Sequence, residues 1–259
     1  MISKIQSIAA LAGAWAFGAF GVAVANPQSG AVQQDAGYEL LRIDGQLVRW
    51  LPRRAKGAIA IRYAVADRPI TIAGARNCGT IVPPDALLQA SGLTRDDLSQ
   101  ALAAAVQAWQ LPAAPIFTPA TSVHDADLII GAQGEPGGIA YTNLTLGGHV
   151  AGPGSASRAI EAAQVCLNPS IGWKLGFDGN FARRDLTFAL SHEFGHVLGL
   201  DHPGARGHLM SFRYQENLRA PTAGDRAGVS TLYATASDAE RATVVKPAAA
   251  TVPASSLTR

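Results

Sequence analysis

The stretch Ser191–His202, "SHEFGHVLGLDH", constrains this chain more than any other, because three of the six histidines fall within it. In the surrounding "DLTFALSHEFGHVLG", Leu186, Leu190, Phe194 and Val197 recur at helical spacing and make a core-facing stripe. His192 and His196 lie four residues apart. At about 100° per residue they sit about 40° from each other and off that stripe. Two imidazoles one turn apart converge on a single point in space. Glu193 is one step round the helix and borders the same point. Gly199 can take the left-handed conformation that ends a helix, so the chain can turn back and return His202 to the point.

Three neutral imidazoles in that arrangement leave a tetrahedral zinc ion one open position, which marks a catalytic rather than a structural site. Zinc lowers the pKa of a bound water towards ~7, and the neighbouring carboxylate can accept its proton and pass it to a departing amine. The residues therefore predict one zinc ion held by His192, His196 and His202, with Glu193 as the catalytic general base. His124, His149 and His208 read as solvated or locally hydrogen-bonded loop residues. A structural calcium is not supported: the glycine-rich passage 134–154 offers backbone carbonyls but no carboxylate cluster.

Apart from Met1, the chain has a single methionine, Met210, eight residues after His202 in the setting "HLMSFRY". A methionine turn at this distance from a three-histidine motif is a metzincin mark. Elsewhere, Ile59, Ile61, Tyr63 and Val65 alternate with smaller or polar residues, as in a strand. Thr94-x-x-Asp97 opens a helix carrying Leu98, Ala101, Leu102, Ala105 and Trp109, ended by Leu111-Pro112. "ADLIIGA" (126–132) and "QVCLN" (164–168) read as short buried strands, and "IAYTNL" as a strand inside a passage that otherwise turns. A second long helix is expected over 185–198 and a third over 222–233, the last capped by Thr222-x-x-Asp225. Together these give one α+β domain over residues 38–235, with 26–37 a linker and 236–259 an Ala/Pro/Thr-rich disordered tail.

Residues 1–25 read as a signal peptide. Lys4 precedes an apolar run from Ile8 to Ala25 that closes on Ala23-Val24-Ala25. An uncleaved membrane anchor is the competing reading, since the run is just long enough to span. Cleavage implies a secreted, extracellular or periplasmic protein with no membrane attachment; in such a compartment a Cys78–Cys166 disulfide is the expectation, with two unpaired buried thiols as the competing reading. The formal net charge of +2 is too small to argue for a nucleic-acid partner. A monomer acting on a protein or peptide substrate is expected.

With these residues in place, the chain resembles the matrixins, the matrix-metalloproteinase-like branch of the metzincins. "LTFALSHEFGHVLGLDH", "LMSFRY" and "PTAGDRAGVSTLY" are similar to that family's helix, Met-turn and closing helix. The resemblance implies a zincin-like fold: a twisted mixed sheet, two long helices, a Met-turn and a C-terminal helix around a substrate cleft. It further implies that Ala140 lies beside the attacked carbonyl in an edge strand to which an extended peptide adds itself. Tyr214 would wall the pocket for the residue after the cut bond, and Asp225 would contact the underside of the Met-turn. Tyr141 stands where the family places one histidine of a second zinc site, and Cys166 falls near another. One zinc per chain is therefore the expectation. A zinc-binding protein without turnover, and a metzincin confined to small peptides, are the competing readings; the intact Glu193 argues against the first.

Overall fold

The computed structural model describes residues 37–52, 58–75, 77–112, 114–150 and 157–234. The signal segment 1–25, the linker except Gly37, and the tail 236–259 lie outside the described residues, as does the side chain of His149. The N-terminal part carries short strands β1 (Glu39–Leu40), β2 (Arg42–Ile43) and β3 (Gln46–Arg49), followed by β4 (Ala60–Val65), β5 (Ile70–Thr71) and β6 (Thr80–Val82). Helices α1 (Asp85–Ser91) and α2 (Arg95–Ala108) come next. Then follow β7 (Ile116–Pro119), β8 (Leu128–Gln133), β9 (Ala140–Val150), β10 (Ser157–Leu167), β11 (Gly172–Lys174) and β12 (Arg183–Asp185). Helix α3 (Leu186–Val197), β13 (Leu200–Asp201) and α4 (Ala223–Tyr233) complete the domain.

The main sheet is mixed and runs β2-β3-β10-β8-β4-β7. β9 pairs antiparallel with β10, and among the described residues its other edge has no partner strand. Helices α2 and α3 pack on one face, where Trp109, Leu186, Leu190, Phe194 and Val197 are fully buried. Fully burying one such apolar side chain contributes about 1.5–3 kcal/mol. The indole Nε1 of Trp109 donates to the Ser191 carbonyl at 2.7 Å, so the tryptophan ties the two helices together without an orphaned polar atom. On the opposite face a smaller core gathers Ala66, Cys78, Ile81 and Cys166. There Cys78 and Cys166 form the expected disulfide, with Cα atoms 6.5 Å apart.

The expected capping box of α2 is present: the Thr94 side chain accepts from the Asp97 amide, and Asp97 Oδ2 accepts from the Thr94 amide at 2.8 Å. Three expectations are corrected. Residues 145–150, after "IAYTNL", do not turn: β9 continues to Val150, because β10 begins at Ser157 and offers a partner as far as the Ser157–Val150 pair. "QVCLN" is only the end of an eleven-residue strand, β10. Trp109 caps α2 instead of belonging to it. Helix α1 was not anticipated. Pro84 before it, Asp85 in its first turn and Gly92 in the left-handed conformation after it are its local signals, and only Leu87, Leu88 and Ser91 are buried.

Candidate metal centre and cleft

Helix α3 starts where the Asp185 side chain accepts from the Thr187 amide at 3.0 Å and is held in the core by its leucine–phenylalanine stripe. It stops as anticipated. Gly199 adopts φ of +93°, its amide bonding the His196 carbonyl at 2.9 Å, and a Cβ there would run into the Val48 carbonyl. The chain then pairs β13 with β1, Leu200 opposite Leu40 and Asp201 opposite Glu39, which delivers His202 to the face of α3.

The three imidazoles meet tip to tip. His202 Nε2 lies 3.0 Å from His192 Nε2 and 3.1 Å from His196 Nε2. Their outward nitrogens are occupied: His192 Nδ1–H donates to the Leu209 carbonyl and His196 Nδ1–H to the Leu200 carbonyl, each at 2.8 Å. That fixes the tautomer and leaves Nε2 as the free ligand atom on both rings. Burial pushes His192 and His196 down to about 4 and lowers His202 as well, so all three rings are neutral near pH 7. Neutral nitrogen donors that converge while their other ring nitrogens are already bonded to backbone carbonyls are the donor set a zinc ion takes. Among the described residues this is the one group of three or more ligating side chains within reach of a common ion.

Below the ligands, the Met-turn is tied into the domain by Asp225, which is fully buried. Its carboxylate accepts from the amides of Leu209 at 2.9 Å and Met210 at 3.2 Å, and from Thr222 N and Oγ1 at 2.7 and 2.8 Å. The contact suggested by the resemblance and the helix cap read from the sequence are thus one carboxylate. Leu209, whose carbonyl orients His192, is held by this same anchor. Met210 packs so closely beneath the motif helix that a Cβ on Gly195 would overlap its sulfur and the Trp109 ring. This close approach explains the glycine inside "HEFGH".

Glu193 is 6% exposed, and its Oε2 accepts from Thr142 Oγ1 of β9 at 2.6 Å. Burial raises its pKa, opposed by the neighbouring His192 and the Thr142 hydroxyl. The cleft in front, about 920 Å³, is bounded by Gly138 and Ile139, by the free edge of β9 from Ala140 to Leu146, by the three histidines, and by Phe188, Phe212 and Tyr214. Ala140 lies in that edge, paired with Leu167 on its other side. Tyr214 stacks edge-on against Phe188 at 4.9 Å, accepts from the Asp185 amide and donates to Glu216. Glu216 is in turn paired with Lys174 Nζ at 3.0 Å, and both are buried. Sequence reasoning missed Thr142, Phe188, Lys174 and Glu216. Thr142 in "IAYTNL" and Phe188 in "LTFALSHEFGH" carry no motif chemistry, and only the fold brings them to the cleft; the buried Lys174–Glu216 pair lies behind Tyr214, off the cleft lining. His208 lies outside the ligand set, bonding Thr222 Oγ1 through Nδ1 at 2.7 Å, and His124 contacts Arg68.

Two comparisons bear on this site. The chain is 28% identical to stromelysin-3 of Rattus norvegicus over 209 residues, 71% of this chain and 39% of that protein, so it spans about two-fifths of that relative's length. A family model described as Matrixin (peptidase M10) matches residues 86–234, more than half of the chain and all of its site from β9 to α4. With the histidine triad in ligating geometry and this match over the fold that holds it, the chain belongs to the matrixin family of zinc metalloendopeptidases.

Proposed function

We propose that the protein is an exported endopeptidase that cuts extended segments of other proteins, with Glu193 as its general base and general acid. The observation that carries this reading is the position of Glu193. It is a buried carboxylate on the same helix as two of the three ligands, opening on a cleft rimmed by a strand edge that is unpaired among the described residues.

His192, His196 and His202 would hold the zinc ion. Bound there, zinc supplies the Lewis acidity that makes a water molecule nucleophilic near neutral pH. The rest of the chemistry belongs to the chain. An extended peptide adds to the edge of β9, its backbone pairing at Ala140 and its neighbours, which aligns one peptide bond with the ligand set. The side chain after that bond enters the pocket walled by Phe188 and Tyr214. Glu193 accepts a proton from the attacking water and returns one to the amine nitrogen as it departs. Its burial shifts it towards the carboxylic acid, the direction the return step needs.

Export is supported by the apolar N-terminal segment closing on Ala23-Val24-Ala25 and by the Cys78–Cys166 bond. The proposed organisation is therefore a signal peptide over 1–25, a linker over 26–37, the catalytic domain over 38–235 and a tail over 236–259, working as a monomer with one zinc ion. The test is to incubate protein beginning at Asn26 with a proteome-derived peptide library, with and without a zinc chelator, and to map the new termini. Chelator-sensitive cleavage inside long peptides is expected. Cleavage confined to terminal residues or to very short peptides would replace this reading with the small-peptide one.

A further inference from the structure

Among the described residues, Thr142 is the one residue of the edge strand whose side chain hydrogen-bonds the proposed base. In β9 the side chains alternate. Asn143 points to the disulfide face, where its Nδ2 donates to the Cys78 carbonyl at 2.9 Å. Thr142 therefore points to the opposite face, towards α3, and its position is set by pairing with Val165 of β10. Its hydroxyl lies 2.6 Å from Glu193 Oε2 and 3.2 Å from the Glu193 backbone carbonyl. A hydroxyl has one proton to give, and the shorter, charge-assisted contact takes it. A β-branched side chain on a paired strand has little rotamer freedom, so the donor is held in place before any substrate arrives.

We propose that Thr142 is a positioning residue: it clamps Oε2 of Glu193 and so presents the other carboxylate oxygen, Oε1, for proton transfer. The proposal rests on the general-base role assigned to Glu193. It also links binding to chemistry. A peptide that adds to β9 pairs with the backbone of the residue whose side chain orients the base, so docking on the strand and aiming the carboxylate share one element. Losing the clamp leaves the ligands and the strand edge intact. What changes is the fraction of time the carboxylate faces the water. Turnover should suffer and substrate binding should not.

Thr142→Val keeps the shape and removes the donor; Thr142→Ser keeps the donor. With zinc loaded, Thr142→Val is expected to lower kcat about tenfold with KM within about twofold, and Thr142→Ser to recover most of the loss. The second readout needs no metal. In urea denaturation of the zinc-free protein, Thr142→Val should lower the midpoint clearly in the wild-type background and much less in the Glu193→Ala background, because the partner is already gone. If Thr142→Val yields no folded protein, Thr142→Ala serves in the same cycle. A rise in KM at unchanged kcat, a serine variant as slow as valine, or strictly additive effects in the zinc-free cycle would each overturn the clamp. Wild-type turnover by zinc-loaded Glu193→Ala would instead remove the general-base reading, and the catalytic role of Thr142 with it, while leaving the zinc-free coupling intact.

Discussion

Asp225→Ala is a stringent test of how the metal centre is supported, because that side chain touches no ligand. Its carboxylate is fully buried and accepts from three backbone amides, those of Leu209, Met210 and Thr222, as well as from the Thr222 hydroxyl. Alanine leaves those buried donors without partners. The unsatisfied buried amides of Leu209 and Met210 cost about 1–3 kcal/mol each, and losing the half-buried reciprocal capping bond to the Thr222 amide adds roughly 1 kcal/mol. Water entering the vacated space recovers part of this, so a net loss of about 3–5 kcal/mol is expected. The effect should also reach the metal. Leu209, whose carbonyl orients His192 at 2.8 Å, loses the anchor of its amide, and disturbing the partner that orients a ligand lowers metal affinity about 10–100-fold. Two measurements separate the parts: urea denaturation of zinc-free protein for stability, and competition with a chelator of known affinity for zinc. Asp225→Asn keeps one acceptor but turns an N–H₂ towards an amide donor, so it should fall between wild type and alanine. The reasoning is refuted if Asp225→Ala loses less than about 1 kcal/mol, or if its zinc affinity matches wild type.

Three further outcomes are expected. Glu193→Ala should retain zinc, since all three ligands remain, and lose about 10²–10⁴-fold in turnover; loss of zinc on dialysis would make Glu193 a ligand and sink the assigned role. Replacing Cys78 and Cys166 together by serine should cost roughly 4 kcal/mol in the loop-entropy treatment for a separation of 88 residues, read as a shift in the denaturation midpoint; an unchanged midpoint would contradict it. For pH, the folded values of His192 and His196, about 4, lie below the unfolded value near 6.5. Their contribution to the zinc-free protein is therefore complete above about pH 6.5 and is lost as pH falls towards 4, as the unfolded chain takes up protons the folded one refuses. Zinc should be held until the pH approaches 4, where the folded rings themselves begin to take up protons, and a zinc-free midpoint that stays level from pH 7 to 4.5 would refute the argument.

The ligand set was legible because its geometry is local. Spacing of four on a helix fixes two imidazoles, and one left-handed glycine fixes the third. The same holds for Asp225, whose capping pattern is written within four residues, although the sequence alone did not show that this carboxylate also binds the Met-turn amides. Elsewhere local pattern misled. Glycines at 147 and 148 read as turns, yet β9 runs through them, because a long partner strand can hold residues that would not form a strand alone. Helix α1 spans seven residues with three buried, too short for a period to stand out.

The sequence by itself determined the three zinc ligands and the adjacent carboxylate, since they follow from spacing along one helix and the glycine turn after it, and it left each cysteine only one possible partner. Tertiary structure decided everything that joins distant segments around that centre. It placed Thr142 of the edge strand against Glu193, the Leu209 carbonyl behind His192, and the sulfur of Met210 in the space that Gly195 leaves open. It also set Tyr214 against Phe188, with the buried Lys174–Glu216 pair behind it. These contacts cross 15 to 51 positions of chain. No periodicity reports a meeting at that distance, because packing of whole elements sets it and the residues that meet have no pattern in common.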